Sequence, residues 1–169
     1  RMGYVSWPQA RRYRIQPEPL ARIMQMEHAG HVELLSQQQG YPHYREYMLK
    51  HQAVLPGLTV DLDGMRMMQN GSDRHIAVAR RDGEIVGLMA YRIRNKGGDD
   101  FEMRVDPFFY DDPAARYLLL DWFARHVDQV ETISVVLPPH EQPELWQADL
   151  YPEVESMEPP LARILDVSK

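Results

Sequence analysis

Asp82-Gly83 stands between two runs of β-forming residues, and this junction constrains the fold more than any other feature of the chain. His75-Ile-Ala-Val-Ala-Arg80 precedes it and Glu84-Ile-Val-Gly-Leu-Met-Ala-Tyr-Arg-Ile93 follows. Asp-Gly between such runs is the strongest short-range hairpin signal, because glycine takes the positive φ that a tight turn needs. In the second run Ile85, Gly87, Met89, Tyr91 and Ile93 are expected on one face, and Val86, Leu88 and Ala90 on the other. Apolar residues on both faces mark a central strand covered on both sides. Gly87 within it points to a bulge or to the close approach of another backbone.

After a polar turn at 95–100, Phe101-Glu-Met-Arg-Val105 alternates apolar and charged residues and reads as the next strand. The helix predicted from Pro113 to about Val127 has Asp112 as N-cap and Pro113 as first helical residue. Ala115, Leu118, Leu119, Trp122 and Phe123 form its apolar stripe. Arg125 and His126 sit at the negative end of its dipole. Thr132-Ile-Ser-Val-Val-Leu137 is a short β-branched strand stopped by Pro138-Pro139. Strand, helix and strand of these lengths read as a right-handed βαβ unit.

The flanks are less sharply specified. Residues 4–15 read as extended, broken at Trp7-Pro8, with Arg11, Arg12 and Arg14 around Tyr13. A basic cluster with an aromatic can bind nucleic acid; in an acidic chain a solvated strand face with Tyr13 turned inward is the reading adopted. Gln16-Pro17-Glu18-Pro19 interrupts regular structure and marks a candidate boundary. A helix is expected over His31–Gln39, ended by Gly40, and a second from Pro42 to about Leu55, with Tyr44, Tyr47, Met48 and His51 on one face. Residues 61–73 read as a loop holding Met65, Met67 and Met68. A helical piece is expected at 144–148, then strands at 151–157 and 161–167.

The charge is −6 and 44% of residues are hydrophobic, enough apolar material for a core but no global field favouring nucleic acid or an anionic membrane. The absence of cysteine removes disulfides, thiolate metal sites and a cysteine nucleophile, and leaves a cytoplasmic protein as the plain reading. No run approaches the ~20 apolar residues of a membrane span. Both termini read as cut from a longer chain.

Catalytic motifs are sparse. A phosphate-cradling loop uses glycines so that backbone N–H groups at a helix N-terminus can face the anion. Phe108-Phe-Tyr-Asp-Asp-Pro113, before the best-specified helix, has no glycine, two carboxylates and a proline with no N–H to give. It would repel a pyrophosphate. His28-Ala-Gly-His31 lacks the spacing of a zincin pair, and Asp61-Leu-Asp63-Gly64 holds too few ligands for a calcium loop. No Gly-x-Ser-x-Gly occurs, Asp99-Asp100 reads as a solvated turn, and Trp7, Trp122 and Trp146 read as core or interface residues.

Taken in order, the hairpin with Ile85–Tyr91, the stretch Phe108–Phe123, His126–Val130, Leu137-Pro-Pro139 and Ala162–Val167 resemble the central domain of the Eis-like (enhanced intracellular survival) acetyltransferases over 74–167. The resemblance implies an α+β fold, a mixed α/β sandwich of the GNAT acyl-CoA N-acyltransferase type, with a central mixed sheet flanked by helices. It implies that residues 1–16 end a preceding catalytic GNAT domain or form a crossover strand. Residues 17–169 would be a second, GNAT-like domain, with a sterol-carrier-like domain following in the parent protein. Arg1-Met-Gly-Tyr4 resembles the end of the signature Tyr-x-x-x-Gly-[Phe/Tyr], so the general-acid tyrosine would precede Arg1. Acetyl-CoA would be bound by the parent's N-terminal domain, whose Arg/Gln-x-x-Gly-x-Gly/Ala loop the Phe109–Pro113 loop does not match.

The expected function is therefore that of a non-catalytic central domain in an acetyl-CoA-dependent N-acetyltransferase. Its expected partners are a small-molecule amine substrate of the parent, aminoglycosides being one class, and further copies in a homo-oligomer. Nucleic acid and membrane are not expected partners. No catalytic, cofactor-binding or metal-ligating residue is assigned in this chain. A binding or scaffold module unrelated to acyl transfer is the alternative, and a catalytically active single GNAT domain is a further one.

Overall fold

The Asp82-Gly83 junction forms the expected hairpin. In the computed structural model, which describes residues 5–6, 10–52, 73–155 and 161–162, Asp82 and Gly83 have φ of 53° and 86°. Two successive positive φ values suit the tight turn that joins twisted antiparallel strands. Strand β4 (His75–Arg81) enters the turn and β5 (Glu84–Gly97) leaves it. Strand β6 (Asp100–Tyr110) returns antiparallel along β5. Helix α2 (Pro113–Ala124) then carries the chain to β7 (Thr132–Leu137), which lies parallel to β6.

Strand β2 (Arg11–Ile15) lies antiparallel on β7, and β8 (Glu153–Glu155) on β2. At the other end β3 (His31–Ser36) pairs with β4. The resulting seven-stranded mixed sheet has the order β3-β4-β5-β6-β7-β2-β8. A separate pair joins β1 (Val5–Ser6) to β9 (Leu161–Ala162). The architecture is the expected α+β one.

Each face of the sheet has its own core. Helix α2 and a 3-10 helix at Glu18–Gln25 cover one face, where Leu20, Ile23, Ala79, Met103, Leu119, Phe123 and Ile133 are buried. Helix α1 (Gln37–Gln52) covers part of the other, burying Tyr44, Tyr47 and Met48 on Ile76, Val78 and Leu88. Asp112 caps α2 as expected, its Oδ1 accepting from the Ala115 backbone N–H at 2.8 Å. The helix stops at Ala124, and residues 125–129 continue as hydrogen-bonded turns rather than as helix. Trp146 is buried in the first core and Trp122 packs partly against it. Trp7 and the methionines at 65, 67 and 68 lie outside the described residues.

Three expectations are corrected. Residues 31–36 are a strand, not a helix. Helix α1 begins at Gln37, which puts Gly40 inside it and makes Pro42 an interior residue. Gly40 is a point of close contact and not a stop: a Cβ there would lie 2.6 Å from Ile76 Cβ. The start signal is Ser36. Its Oγ accepts from Gln39 N–H at 3.3 Å, and Gln39 Oε1 accepts from Ser36 N–H at 3.1 Å, a reciprocal capping box. Ser36→Ala is expected to lower stability by about 1 kcal/mol, measured as a fall in the urea midpoint with unchanged m-value.

The third correction concerns β5. Ala79 faces Gly87 but Arg80 faces Ile85, so Val86 is an extra residue in the ladder. This bulge reverses the alternation: Val86 joins Met89 and Tyr91 in one core, and Ile85 joins Leu88 and Ala90 in the other. Both faces are covered, and Gly87 lies at the bulge, as expected. In the tail, the helical piece is a 3-10 turn at Pro143–Leu145; of the two expected strands, residues 153–155 and 161–162 are strand, 151–152 are not, and 156–157 and 163–167 lie outside the described residues.

Candidate functional site: the cleft between parting strands

Strands β6 and β7 pair from Glu102–Val105 beside Thr132–Val135 and then separate. The cause lies in β6. Met89 faces Phe108 but Tyr91 faces Val105, so β6 carries one extra residue near the cis Asp106-Pro107 bond and bends to follow β5. Strand β7 continues along β2, pairing Val136 and Leu137 with Arg12 and Arg11. A cleft of about 320 Å³ opens between them, walled by Phe108 and Phe109 on one side and Val136 and Leu137 on the other. Its lining is nearly all apolar.

The β6–α2 loop stands at the head of this region. Asp111 N–H donates to the Val86 carbonyl at 2.8 Å, tying the loop to the β5 bulge. Tyr47 OH donates to Asp111 Oδ1 at 2.7 Å. His51 Nε2 lies 2.9 Å from the same oxygen, close enough for an ion pair when the ring is protonated, but not aligned as a hydrogen bond. Burial first, and then the bond to Asp111, pushes the Tyr47 phenol well above its usual range. Arg81 Nη2 donates to Asp112 Oδ2 at 2.6 Å. That contact first, and the Ala115 N–H second, hold the Asp112 carboxyl below the usual carboxylate range.

The N-terminus of α2 is thus already occupied by an anion from its own chain. A helix N-terminus attracts phosphate through free N–H groups and the positive end of its dipole. Here Asp112 takes the Ala115 N–H, Pro113 has none to offer, and Asp111 adds a second carboxylate. The electrostatics favour cations such as the Arg81 guanidinium and disfavour a pyrophosphate. Sequence reading finds the two aspartates and the missing glycines. It does not find Tyr47, His51 and Arg81, which come from α1 and from the hairpin turn.

A second contact group ties the end of β6 and helix α2 to residues 141–146. Tyr110 OH donates to the Glu141 carboxylate. Burial, and then Glu141, push the Tyr110 phenol up to about 12. The Arg116 guanidinium lies 5.3–5.5 Å from the rings of Trp146, Tyr117 and Tyr110, within the range of cation–π attraction. His28, considered as half of a metal pair, instead donates from Nε2 to the Ile23 carbonyl at 3.0 Å and stacks on Tyr117, while His31 is exposed on β3.

A seven-stranded mixed sheet whose parallel pair parts beside a strand–loop–helix unit defines the class of protein. The chain belongs to the GNAT family: the model of the acetyltransferase (GNAT) domain matches residues 60–164. No curated protein matches the chain. Among solved structures, a GCN5-related N-acetyltransferase from Anabaena variabilis superposes with a TM-score of 0.75 at 13% identity, over 94% of this chain and 41% of that one. A probable N-acyltransferase from Enterococcus faecalis gives 0.72 at 15%, over 90% and 39%. A GCN5-related N-acetyltransferase from Kribbella flavida gives 0.61 at 14%, over 90% and 38%. At such identities the likeness establishes the fold. The chain spans about two-fifths of the length of these structures.

Proposed function

We propose that this chain is a non-catalytic, GNAT-like domain of the Eis-like type within an acetyl-CoA-dependent N-acetyltransferase. Residues 17–169 form the body of the domain, and residues 1–16 end a catalytic GNAT domain upstream or cross over from it, with β2 (Arg11–Ile15) lying in the sheet between β7 and β8. That upstream domain binds acetyl-CoA and transfers the acetyl group to a small-molecule amine, of which aminoglycosides are one class. In that reaction the amine loses a proton to a carboxylate or water and attacks the thioester carbonyl. A tyrosine of the upstream domain protonates the departing thiolate. This chain walls one side of the acceptor cleft and supplies subunit contacts. Exposed apolar residues near the β8 edge, Leu145, Tyr151 and Val154, suit the second task.

One observation carries the reading: Asp111, Asp112 and Pro113 stand where the family's pyrophosphate loop is expected, and Asp112 takes a helix N-terminal N–H itself. The test is calorimetric titration of the chain with acetyl-CoA. No saturable heat is expected into the millimolar range. Micromolar binding would make the chain a CoA-dependent catalyst in its own right and overturn the reading.

A further inference from the structure

Four arginines meet on the sheet face opposite α2, next to the point where β6 and β7 part. Arg12 of β2, Arg92 of β5 and Arg104 of β6, with Arg74 just before β4, line a pocket of about 100 Å³. Ser134 of β7, only 3% exposed, and Val136 belong to the same lining. The register makes the crowding explicit: Arg104 faces Arg92 directly across one ladder and Ser134 across the other. Like charges directly opposite on antiparallel strands destabilise a sheet.

Among the described residues, the carboxylates nearest Arg12 and Arg92 answer their charge poorly. Arg92 lies 3.9 Å from Asp73, and Arg12 lies 3.8 Å from Glu155, both at the outer limit of an ion pair. The Arg74 guanidinium reaches the Asp106 backbone carbonyl at 3.5 Å. Among the described residues, Asp106 supplies the one acidic residue in the lining. The Arg104 side chain makes no hydrogen bond or ion pair among the described residues. Desolvation, then Arg94 and Arg74, lower the Arg92 pKa from its usual value. In a chain of net charge −6, half-buried arginines gathered this closely need a local reason.

We propose that this pocket is a binding site for a tetrahedral oxyanion, a phosphate group, held by Arg12, Arg74, Arg92 and Arg104. The chemistry fits. Guanidinium groups donate in planar forks that match phosphate oxygens, and several forks from different directions suit a tetrahedral anion better than a planar carboxylate. A bound dianion would also turn the Arg92–Arg104 opposition into a shared attraction. The site is independent of acetyl transfer and lies on other residues than the β6–α2 loop. Acetyl-CoA carries phosphates of its own, so its titration is repeated on Arg104→Gln: heat that persists in the variant bears on the proposed function, and heat that is lost there belongs to this pocket.

The experiment titrates the chain with inorganic phosphate and, separately, with glycerol phosphate, by calorimetry and by thermal shift. Saturable binding that weakens with added chloride is expected. Binding of both ligands assigns a site for free phosphate, and binding of the ester alone assigns a site for an organic phosphate. Arg104→Gln and Arg92→Gln are each expected to weaken binding by about tenfold or more, the order of one lost charge-assisted contact. Their melting temperatures without ligand are expected to hold or rise, because each removes a like-charge opposition. Absence of binding to either ligand overturns the proposal. So does binding unchanged in both variants. A melting temperature lowered by several degrees in both ligand-free variants would make the arginines structural and overturn it as well.

Discussion

Phe123→Ala is expected to lower the unfolding free energy by about 3–5 kcal/mol, the range for removing a large aromatic from a packed core. Phe123 is fully buried on the sheet side of α2. Its ring stacks on Phe108 at 5.6 Å between centroids, and Phe108 in turn stacks on Trp146 at 5.8 Å. Removal of the ring leaves a void bounded by β6 on one side and the 138–146 segment on the other. Neither can collapse freely, since Tyr110 is hydrogen-bonded to Glu141 and Tyr117 OH donates to the Trp146 carbonyl at 2.9 Å. Against a total stability of about 5–15 kcal/mol the loss is a large fraction. The melting temperature should fall by on the order of 10 °C. Leu145→Ala is the control: Leu145 is 73% exposed, and its truncation should stay within about 0.5 kcal/mol. Equal effects of the two would mean that the Phe108–Phe123–Trp146 stack does not hold α2 on the sheet.

The same segment shows what the sequence makes legible and what it conceals. The turn at Asp82-Gly83, the Asp112 cap and the limits of β7 follow from local chemistry, and all three stand in the structure. The boundary between β3 and α1 does not follow so simply. Gly40 and Pro42 look like punctuation, but Gly40 is required by the contact with Ile76, a residue 36 positions away. Ser36 and Gln39, which do mark the boundary, form a capping box that could have been found from their spacing. The bulge at Val86 was signalled by Gly87, yet its consequence for the alternation depends on register with β4.

The candidate sites divide in the same way. The unsuitability of the β6–α2 loop for pyrophosphate is written in its residue types. The partners that hold its carboxylates are not, because Tyr47 lies 64 positions from Asp111 and Arg81 lies 31 from Asp112. The arginine pocket is less legible still. Arg12 and Arg14, Arg92 and Arg94, and Arg104 alternate along three strands, which in sequence reads as solvated strand faces. Only the order β5-β6-β7-β2 brings those faces side by side.

Gly87→Val is expected to destabilise the chain by ~3 kcal/mol, at the upper end of what overpacking usually causes. A Cβ at Gly87 would lie 2.9 Å from the Phe109 carbonyl oxygen and 3.3 Å from Tyr110 Cα. Both are backbone atoms of β6, so no side chain can rotate out of the way. The Asp111 N–H bond to Val86 holds the end of β6 against the bulge, and relief of the clash would have to break it. Loss of glycine from a strand interior favours the variant by about 0.5–1 kcal/mol through backbone entropy, too little to offset the steric term. Gly83→Ala separates the two effects. Nothing lies within 4 Å of a Cβ there, but φ is +86°, so only conformational strain remains, on the order of 1 kcal/mol. Chemical denaturation should therefore rank Gly87→Val well below Gly83→Ala. Amide exchange in Gly87→Val should accelerate first at Asp111, where the loop leaves the bulge. A Gly87→Val variant as stable as the parent would mean that β6 can move away from β5 at the bulge.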